Sequence, residues 1–447
     1  MKKVVLLTLF SVFAFSTFAQ FSVTAEVRPR FEFRNGFKTL RPETNFKPAS
    51  FVEQRTRLYF NYQKDKLSLN VSVQDVRMWG NTNQVYKTDP ALTNIFEAYG
   101  TYQISKRWMV KVGRQVLSYD TQRFMGGLDW AQQGRSHDAL LIRYISKSDI
   151  KMDGAVAFNN SGTEPTFLNA YPTPYGLNNY KNMQMIHVSK KYEKAYVSLI
   201  FQNDGRQVVS TIDTTVQYRQ TYGVVANGNL TKAVKLAGEF YYQGGINGVG
   251  QTVNSIFANL QVTLKTKITP ITVGGDYASG TKLEDTGKDN AWNPLYGTNH
   301  KWYGFMDYFY VGNGFGQGGR TTGLIDLYLK TNFEIAKKQT LAVHGHYFMS
   351  PVELYSTDVN VIPNTVKLNS DLGVEIDLVY KFVVQKDFNI QVGYSHMFAT
   401  ESMEAIKTFP GSQNGTIMQD GRAVNGMNNW AFLMLQFKPE LFNSKKK

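Results

Sequence analysis

Residues 253–265 read VNSIFANLQVTLK, and the polarity of these residues alternates with a period of two. Apolar residues such as Ile256 fall on one face of an extended chain, and polar residues such as Asn259 fall on the other. Residues 371–381 and 388–395 repeat the same pattern. This alternation predicts β-strands that each have one apolar face and one polar face.

The connections between such strands indicate which kind of sheet they form. Alternation marks eighteen segments, at residues 21–33, 52–63, 67–77, 92–104, 107–116, 136–146, 149–158, 181–191, 194–203, 216–230, 233–243, 253–265, 268–278, 322–334, 338–349, 371–383, 387–398 and 428–438. Eight tight turns alternate with nine longer loops along the chain. A soluble sandwich would show the same alternation of polarity, but this pattern of turns and loops is typical of a bacterial outer-membrane barrel.

We therefore predict an all-β fold, a transmembrane antiparallel up-and-down β-barrel of about 18 strands. Its short turns are expected in the periplasm and its long loops outside the cell. Hydrocarbon offers no partners for backbone N–H and C=O groups, so a spanning sheet has to close on itself. A barrel of this size encloses an aqueous lumen rather than a core filled by side chains.

Composition and the first residues indicate an exported protein. The 447 residues include no cysteine, which excludes disulfide bonds, thiolate metal sites and cysteine nucleophiles. Lys2 and Lys3 precede an apolar run over residues 4–15, and the small residues Thr17 and Ala19 suit a signal peptidase. The predicted organisation is a signal peptide over 1–19 and one barrel domain over 20–447, which includes a basic C-terminal tail over 438–447.

Arginines are concentrated near the start of the chain, where twelve of the sixteen lie at or before Arg143. The topology brings several of them to the long-loop end of neighbouring strands. The candidate pore residues are Arg55, Arg57, Arg77, Arg114, Arg123 and Arg135, with Asp75, Asp129 and Asp138 beside them. Arginine rings make anion pores, because a positive potential favours entry of negative solutes and guanidinium groups bind carboxylates. The alternative that the carboxylates neutralise these arginines in structural ion pairs stays open.

The same part of the sequence carries a resemblance to a known family. The residues concerned are Gln74-Asp75-Val76-Arg77-Met78-Trp79-Gly80, Gly113-Arg114-Gln115, Tyr119, Arg123, Gly127-Leu128-Asp129-Trp130 and Gly134-Arg135-Ser136-His137-Asp138-Ala139. They resemble the alginate export family of outer-membrane porins. The resemblance implies an eighteen-stranded barrel with an arginine-rich constriction that passes an anionic polyuronate. It also implies that Arg77, Arg114, Arg123 and Arg135 are pore cations, with Asp75, Asp129 and Asp138 as partners.

The longest loop, residues 279–321, contains nine aromatic residues and a glycine-rich run from Gly312 to Gly319. Aromatic faces can stack on sugar rings, and a loop of this length can fold into the lumen as a constriction. It can also pack on itself as an extracellular cap. We favour the cap, because loop aromatics more often contact each other than a ligand.

Signals for catalysis or for other ligands are weak. His344 and His346 share the polar face of one predicted strand, but no third ligand is evident, so we interpret them as polar lumen residues. The glycine-rich run lacks the Lys-Ser/Thr pair of a phosphate loop, and the basic residues form no stripe suited to a duplex. We predict that the protein is not an enzyme and has no metal site, no cofactor and no nucleic-acid partner.

These observations together predict a transport protein of the bacterial outer membrane, surrounded by lipid. We expect passive diffusion of anionic solutes through an arginine-lined constriction, and acidic, alginate-like oligo- or polysaccharides are the favoured solutes. Smaller organic anions are also allowed. A weakly selective general porin, an outer-membrane hydrolase and a non-transporting surface or assembly protein stay open as alternatives.

Overall fold

The computed structural model describes residues 19–41, 47–81, 93–159, 179–209, 214–357, 362, 364–407 and 427–445. Eighteen strands form one barrel, and we number them in chain order. They are β1 (Gln20–Asn35), β2 (Ala49–Lys64), β3 (Leu67–Met78), β4 (Thr93–Gln103), β5 (Trp108–Gln115), β6 (His137–Ile145), β7 (Lys151–Phe158), β8 (Asn182–Lys191), β9 (Ala195–Val209), β10 (Thr214–Asn229), β11 (Val234–Ile246), β12 (Thr252–Lys265), β13 (Pro270–Ala278), β14 (Leu324–Ala336), β15 (Gln339–Met349), β16 (Asp371–Gln385), β17 (Phe388–Ala399) and β18 (Asn428–Phe437). The predicted strands are confirmed, with shifted ends.

Each strand pairs antiparallel with the next one along the chain, and β18 pairs with β1 to close the barrel. In the closing register Asn35 lies opposite Asn429. The segment Glu440–Asn443 is a further short strand that also pairs with β1. Part of the predicted C-terminal tail therefore belongs to the sheet, where the ring of Phe442 lies 6.2 Å from that of Phe21.

Connections at the two ends of the barrel differ in length, as predicted. The eight turns at one end contain two to five residues each. Seven connections at the other end are long, but those after β9 and β11 are short, which the sequence interpretation did not predict. The reason is that both strands extend beyond their predicted ends. Asp204 and Arg206 continue the inward polar face of β9, and β11 extends to Ile246.

The two faces of the barrel wall differ in polarity. Leu260, Leu327 and Leu329 point outward and are 61%, 47% and 53% exposed. Ser255 and Asp326 point inward and are buried. A continuous outer surface of apolar side chains is unfavourable in water and suits contact with hydrocarbon.

Two of the long connections fold into the lumen. We call residues 116–136 the first inward loop and residues 279–323 the second inward loop. In the second loop, the ring of Trp292 lies 5.4 Å from that of Phe257 on β12, and the ring of Phe309 lies 4.9 Å from that of Phe348 on β15. The favoured interpretation of this loop as an extracellular cap is therefore wrong. Its aromatic residues have apolar partners on the inner wall, far away in the sequence.

Regular structure outside the barrel is limited in the described part of the chain. One α-helix, α1 (Glu401–Ile406), follows β17. Thr400 caps its N-terminus, because the side chain of Thr400 accepts a hydrogen bond from the backbone of Met403. Short strands and one 3-10 turn lie in the loops: Lys288–Asp289, Asn299–Lys301, Gly316–Gln317, Arg320–Thr321, Leu354–Tyr355 and Lys367–Leu368. Among the described residues, no helix has the length and apolar character needed to cross a bilayer.

Candidate functional site

The first inward loop crosses the lumen and is bonded to the inner wall along its length. The hydroxyl of Tyr119 donates to Asp153 on β7 at 3.1 Å. The carboxylate of Asp120 accepts hydrogen bonds from Tyr196 and Ser198 on β9 at 2.6 and 2.7 Å. These bonds fix the beginning of the loop against the wall.

Arg123 anchors the middle of the first inward loop to the opposite wall. Its guanidinium lies 2.7 Å from Glu239 on β11 and 2.7 Å from Asp276 on β13. It also lies 3.9 Å from the ring centroid of Trp302 in the second inward loop. All three charged side chains are at most 2% exposed. Arg123 therefore lies in the lumen as predicted, but its charge is neutralised by the wall.

Arg55 and Arg57 lie on the inward face of β2, and both are buried. Arg55 donates to Glu26 at 2.7 Å and to Asp129 of the first inward loop at 3.0 Å. The guanidinium of Arg57 lies 3.5 Å from the ring centroid of Phe96. These arginines hold the end of the first inward loop to the wall, which matches the structural alternative considered from the sequence.

Arg77 and Asp75 form an ion pair at 2.6 Å, but this pair lies on the outward face of β3. Arg77 is paired in register with Gln54, and Asp75 with Thr56, whereas the inward arginines of β2 lie at the alternate positions. Val71 lies four residues before Asp75 and six before Arg77, on the same face of β3, and it is 38% exposed. Arg77 and Asp75 are therefore not placed to line the pore.

Arg114 and Asp138 form a second outward ion pair, with a nitrogen-to-oxygen distance of 3.0 Å. They face each other across β5 and β6, on the same face as Val112, which is 55% exposed. Both lie at the long-loop end of their strands, where they border a large cavity. Arg114 and Asp138 therefore lie at the rim of this cavity rather than in a constriction.

This large cavity has a volume of about 1310 Å³ and is lined by residues of both inward loops and by the long-loop ends of several strands. Its seven cationic residues are Arg30, Arg34, Lys38, Arg114, Arg135, Arg206 and Arg219, and its five carboxylates are Glu53, Asp138, Asp204, Asp289 and Asp307. Aromatic residues contribute as well, namely Phe37, Trp130, Phe158, Tyr180, Trp292, Tyr296, Tyr310 and Phe315. The lining combines an excess of positive charge with flat apolar surfaces.

Five of these seven cations have carboxylate partners. The pairs are Arg30 with Glu32 and Glu53, Arg34 with Glu32, Arg114 with Asp138, Arg206 with Asp204, and Arg219 with Asp289. Arg135 and Lys38 instead donate to backbone carbonyl oxygens, those of Gly297 at 3.0 Å and Val311 at 3.3 Å. Within the described ranges these two cations form no ion pair.

Burial lowers the pKa of Arg135 but leaves its side chain positively charged. Loss of solvent lowers its pKa to about 10, against a smaller opposing effect of Tyr296, so it stays cationic at neutral pH.

The pKa of Lys407, just after α1, is lowered more strongly. Burial, and then repulsion from Lys38, lowers the pKa of Lys407 to about 7, although Asp307 opposes this shift. Lys407 is therefore only partly charged near neutral pH.

A second cavity, of about 290 Å³, lies at the tight-turn end of the barrel. It is lined by Asp149 and Lys151 next to the turn between β6 and β7, and by residues 118–120 of the first inward loop. Residues 130–133, 135 and 136, at the other end of that loop, line the large cavity. The first inward loop therefore lines a cavity at each end of the barrel.

Comparison with protein families identifies the group to which this barrel belongs. The model for the family described as alginate export matches residues 19–408. The chain belongs to the alginate export family. As a member of that family and a closed eighteen-stranded barrel, it is an outer-membrane protein of bacteria. Its apolar outward face contacts lipid, and its tight turns are on the periplasmic side.

Solved structures of Pseudomonas aeruginosa outer-membrane porins share the fold of this alginate export family member. OccD3 (OpdP) is 12% identical, with 94% of this chain and 92% of that chain covered and a TM-score of 0.57. OccK11 (OpdR) is 11% identical, with coverages of 95% and 96% and a TM-score of 0.57. OpdK, solved with vanillate, is 8% identical, with coverages of 94% and 98% and a TM-score of 0.57. The search of curated proteins found no match.

These comparisons confirm the predicted fold, family and location. The predicted signal peptide lies outside the described residues except for Ala19, and it stays a prediction. At such low identity the structural likeness shows the fold alone. The solute and its binding residues therefore have to be argued from the cavity itself.

Proposed function

We propose that the protein is a passive channel for anionic solutes and that the solute passes through the large cavity between the two inward loops. The observation that carries this proposal is the pair of lining cations, Lys38 and Arg135, that lack a carboxylate partner among the described residues. A positive charge in a narrow, partly desolvated passage attracts anions and repels cations. The remaining lining arginines keep their geometry through ion pairs and leave the excess charge in place.

The chemistry of the lining favours an anion that carries a flat or ring-shaped group. The guanidinium of Arg30 lies 4.1 Å from the ring centroid of Trp130, and Trp130 stacks on His300 with centroids 4.3 Å apart. Arg30 and His300 thus contact the ring of Trp130, and the aromatic residues of the lining supply apolar surface beside cations that bind carboxylates. An acidic saccharide of the alginate type meets both requirements. Vanillate, present in the OpdK structure, is a smaller carboxylate with a flat ring.

Replacing Arg135 with glutamine is expected to reduce anion preference, because it removes one of the two unpaired lining cations. A unit charge at about 4 Å in water contributes about 1 kcal/mol, which changes the local concentration of anions about fivefold and that of cations about fivefold in the opposite direction. The ratio of anion to cation permeability is therefore expected to fall at least about fivefold. The measurement is the reversal potential of single channels in a planar bilayer under a salt gradient. Arg77→Gln is the matched control, since Arg77 lies on the outward face.

The proposal requires the reversal potentials of the two variants to differ. A reversal potential that moves toward zero in Arg135→Gln, and stays unchanged in Arg77→Gln, supports the cavity as the solute path. Equal values for both variants and the wild type would instead indicate a channel in which Arg135 does not face the permeating ions. Near-equal permeabilities in the wild type itself would indicate a weakly selective general porin.

A further inference from the structure

Three donor groups meet on the inner wall between β15 and β16. They belong to His344, His346 and Asp377, and one ligand atom of each lies within 4.8 Å of the others. Register explains the cluster: His344 lies directly opposite Asp377, and His346 is two residues further along the same inward face. The sequence showed the two histidines, but the third ligand comes from the neighbouring strand.

Each of these three side chains has a buried ligand atom that lacks a hydrogen-bond partner. These atoms are Nδ1 of His344, Nε2 of His346 and Oδ2 of Asp377. His346 and Asp377 are 2% and 1% exposed, so water does not surround these atoms. A buried polar atom without a partner is unfavourable, and three such atoms in one cluster indicate a missing ligand.

Hydrogen bonds from neighbouring side chains orient His346 and Asp377. Nδ1 of His346 lies 2.9 Å from the carboxylate of Asp326, and the Ser395 hydroxyl donates to Oδ1 of Asp377 at 2.5 Å. If the Nδ1 of His346 carries the proton, its Nε2 presents a lone pair toward Asp377, whose Oδ2 lies 3.9 Å away. That distance is too long for a hydrogen bond. Two lone pairs facing each other at this spacing suit a bound cation.

Charge and ligand type both fit a divalent metal ion. Inward carboxylates near the site come from Asp326, Glu375 and Asp377, and the ammonium group of Lys330 on the adjacent strand β14 offsets one of them. Two imidazole nitrogens and one carboxylate oxygen are the usual protein ligands of Zn²⁺ and similar first-row ions. A histidine that donates its other nitrogen to a carboxylate is the usual outer-shell arrangement at such sites.

We propose that His344, His346 and Asp377 bind a first-row divalent transition metal ion such as Zn²⁺, with Asp326 as a positioning residue. The site lies under the second inward loop: the backbone N–H of Phe305 donates to Asp377 at 3.4 Å, and that of Met306 donates to Glu375 at 2.8 Å. A bound ion fixes Asp377 and thereby secures the loop that narrows the lumen. The inference does not depend on which solute passes through the channel.

The test measures metal binding by the folded, full-length protein in detergent, after chelator treatment and dialysis against Zn²⁺ or Co²⁺. We expect one equivalent per chain, with the visible absorption bands of Co²⁺ bound by nitrogen and oxygen ligands. His344→Ala is expected to abolish stoichiometric binding, and Asp326→Asn to weaken it by about 10- to 100-fold. His396→Ala is the matched control, because His396 lies on the outward face of β17 next to exposed Tyr394 and Phe398.

The variants also separate a structural role from metal binding. Circular dichroism confirms that each variant is folded, and Asp326→Asn keeps all three ligands, so it reports on binding even if a ligand variant fails to fold. Absence of bound Zn²⁺ and Co²⁺ in the wild-type protein would overturn the proposal. So would equal binding by the wild type, His344→Ala and Asp326→Asn.

Discussion

Replacing Arg123 with methionine is expected to lower the free energy of unfolding by about 3–5 kcal/mol. The guanidinium of Arg123 lies 2.7 Å from Glu239 and 2.7 Å from Asp276, and all three side chains are at most 2% exposed. Methionine keeps much of the side-chain volume but leaves two carboxylates buried without a cation. The measurement is urea unfolding of the protein refolded into detergent micelles, with the midpoint and slope compared with those of the wild type.

A compensated variant distinguishes the charge effect from a packing defect. In the triple variant Arg123→Met, Glu239→Gln and Asp276→Asn, no uncompensated charge remains, so most of the lost stability is expected to return. A single Arg123→Met variant as stable as the wild type would show that the first inward loop is not held by this ion pair. Equal instability of the single and triple variants would assign the loss to packing.

Removing most of the second inward loop is expected to raise the single-channel conductance several-fold and to reduce anion preference. Its buried aromatic residues, such as Trp292 and Tyr308, occupy the lumen, and its residues line the large cavity. The ends of the loop already meet, since the backbone N–H of Thr281 donates to the carbonyl oxygen of Thr321 at 2.9 Å. Residues 282–320 can therefore be replaced by an Asn-Gly turn that joins β13 to β14.

The matched control shortens a loop whose described residues between positions 356 and 366 do not line the large cavity. Tyr355 pairs with Lys367 at the base of the connection between β15 and β16, so residues 356–366 can be replaced by the same turn. Conductance of this control is expected to equal that of the wild type. An unchanged conductance after replacement of 282–320 would mean that the solute path avoids the second inward loop.

The strands could be predicted from the sequence because the membrane imposes their pattern. Each strand has lipid on one side, which demands apolar side chains such as Leu260 and Leu329 at every second position. The same rule also predicts where charges point. Arg77 follows Val71 by six positions on β3 and therefore shares its face, yet the sequence interpretation grouped Arg77 with the inward arginines by its position along the barrel axis and by the family resemblance.

The inner site could be predicted only in part. Arg55, Arg57, Arg123, Arg135 and Asp129 lie inside the barrel as expected, but which of them keeps an unpaired charge depends on partners distant in the sequence. The position of a long loop is set by the wall against which it packs, and alternation carries no information about that contact.

Other site residues illustrate the same limit. Arg206 and Arg219 lie on strands β9 and β10, and their inward alternation was available in the sequence, but β9 was predicted to end too early to include Arg206. Lys38 lies in a loop and had no periodic signal. Asp377 completes the proposed metal site only through the register of β15 and β16, which one sequence does not specify.

The most direct test of the channel account is the reversal potential of the wild-type, full-length protein in a planar bilayer that separates two concentrations of potassium chloride. The account predicts a stable conductance with a reversal potential displaced toward the Nernst potential of chloride. Absence of conductance from correctly folded protein, or a reversal potential at the Nernst potential of potassium, would contradict it.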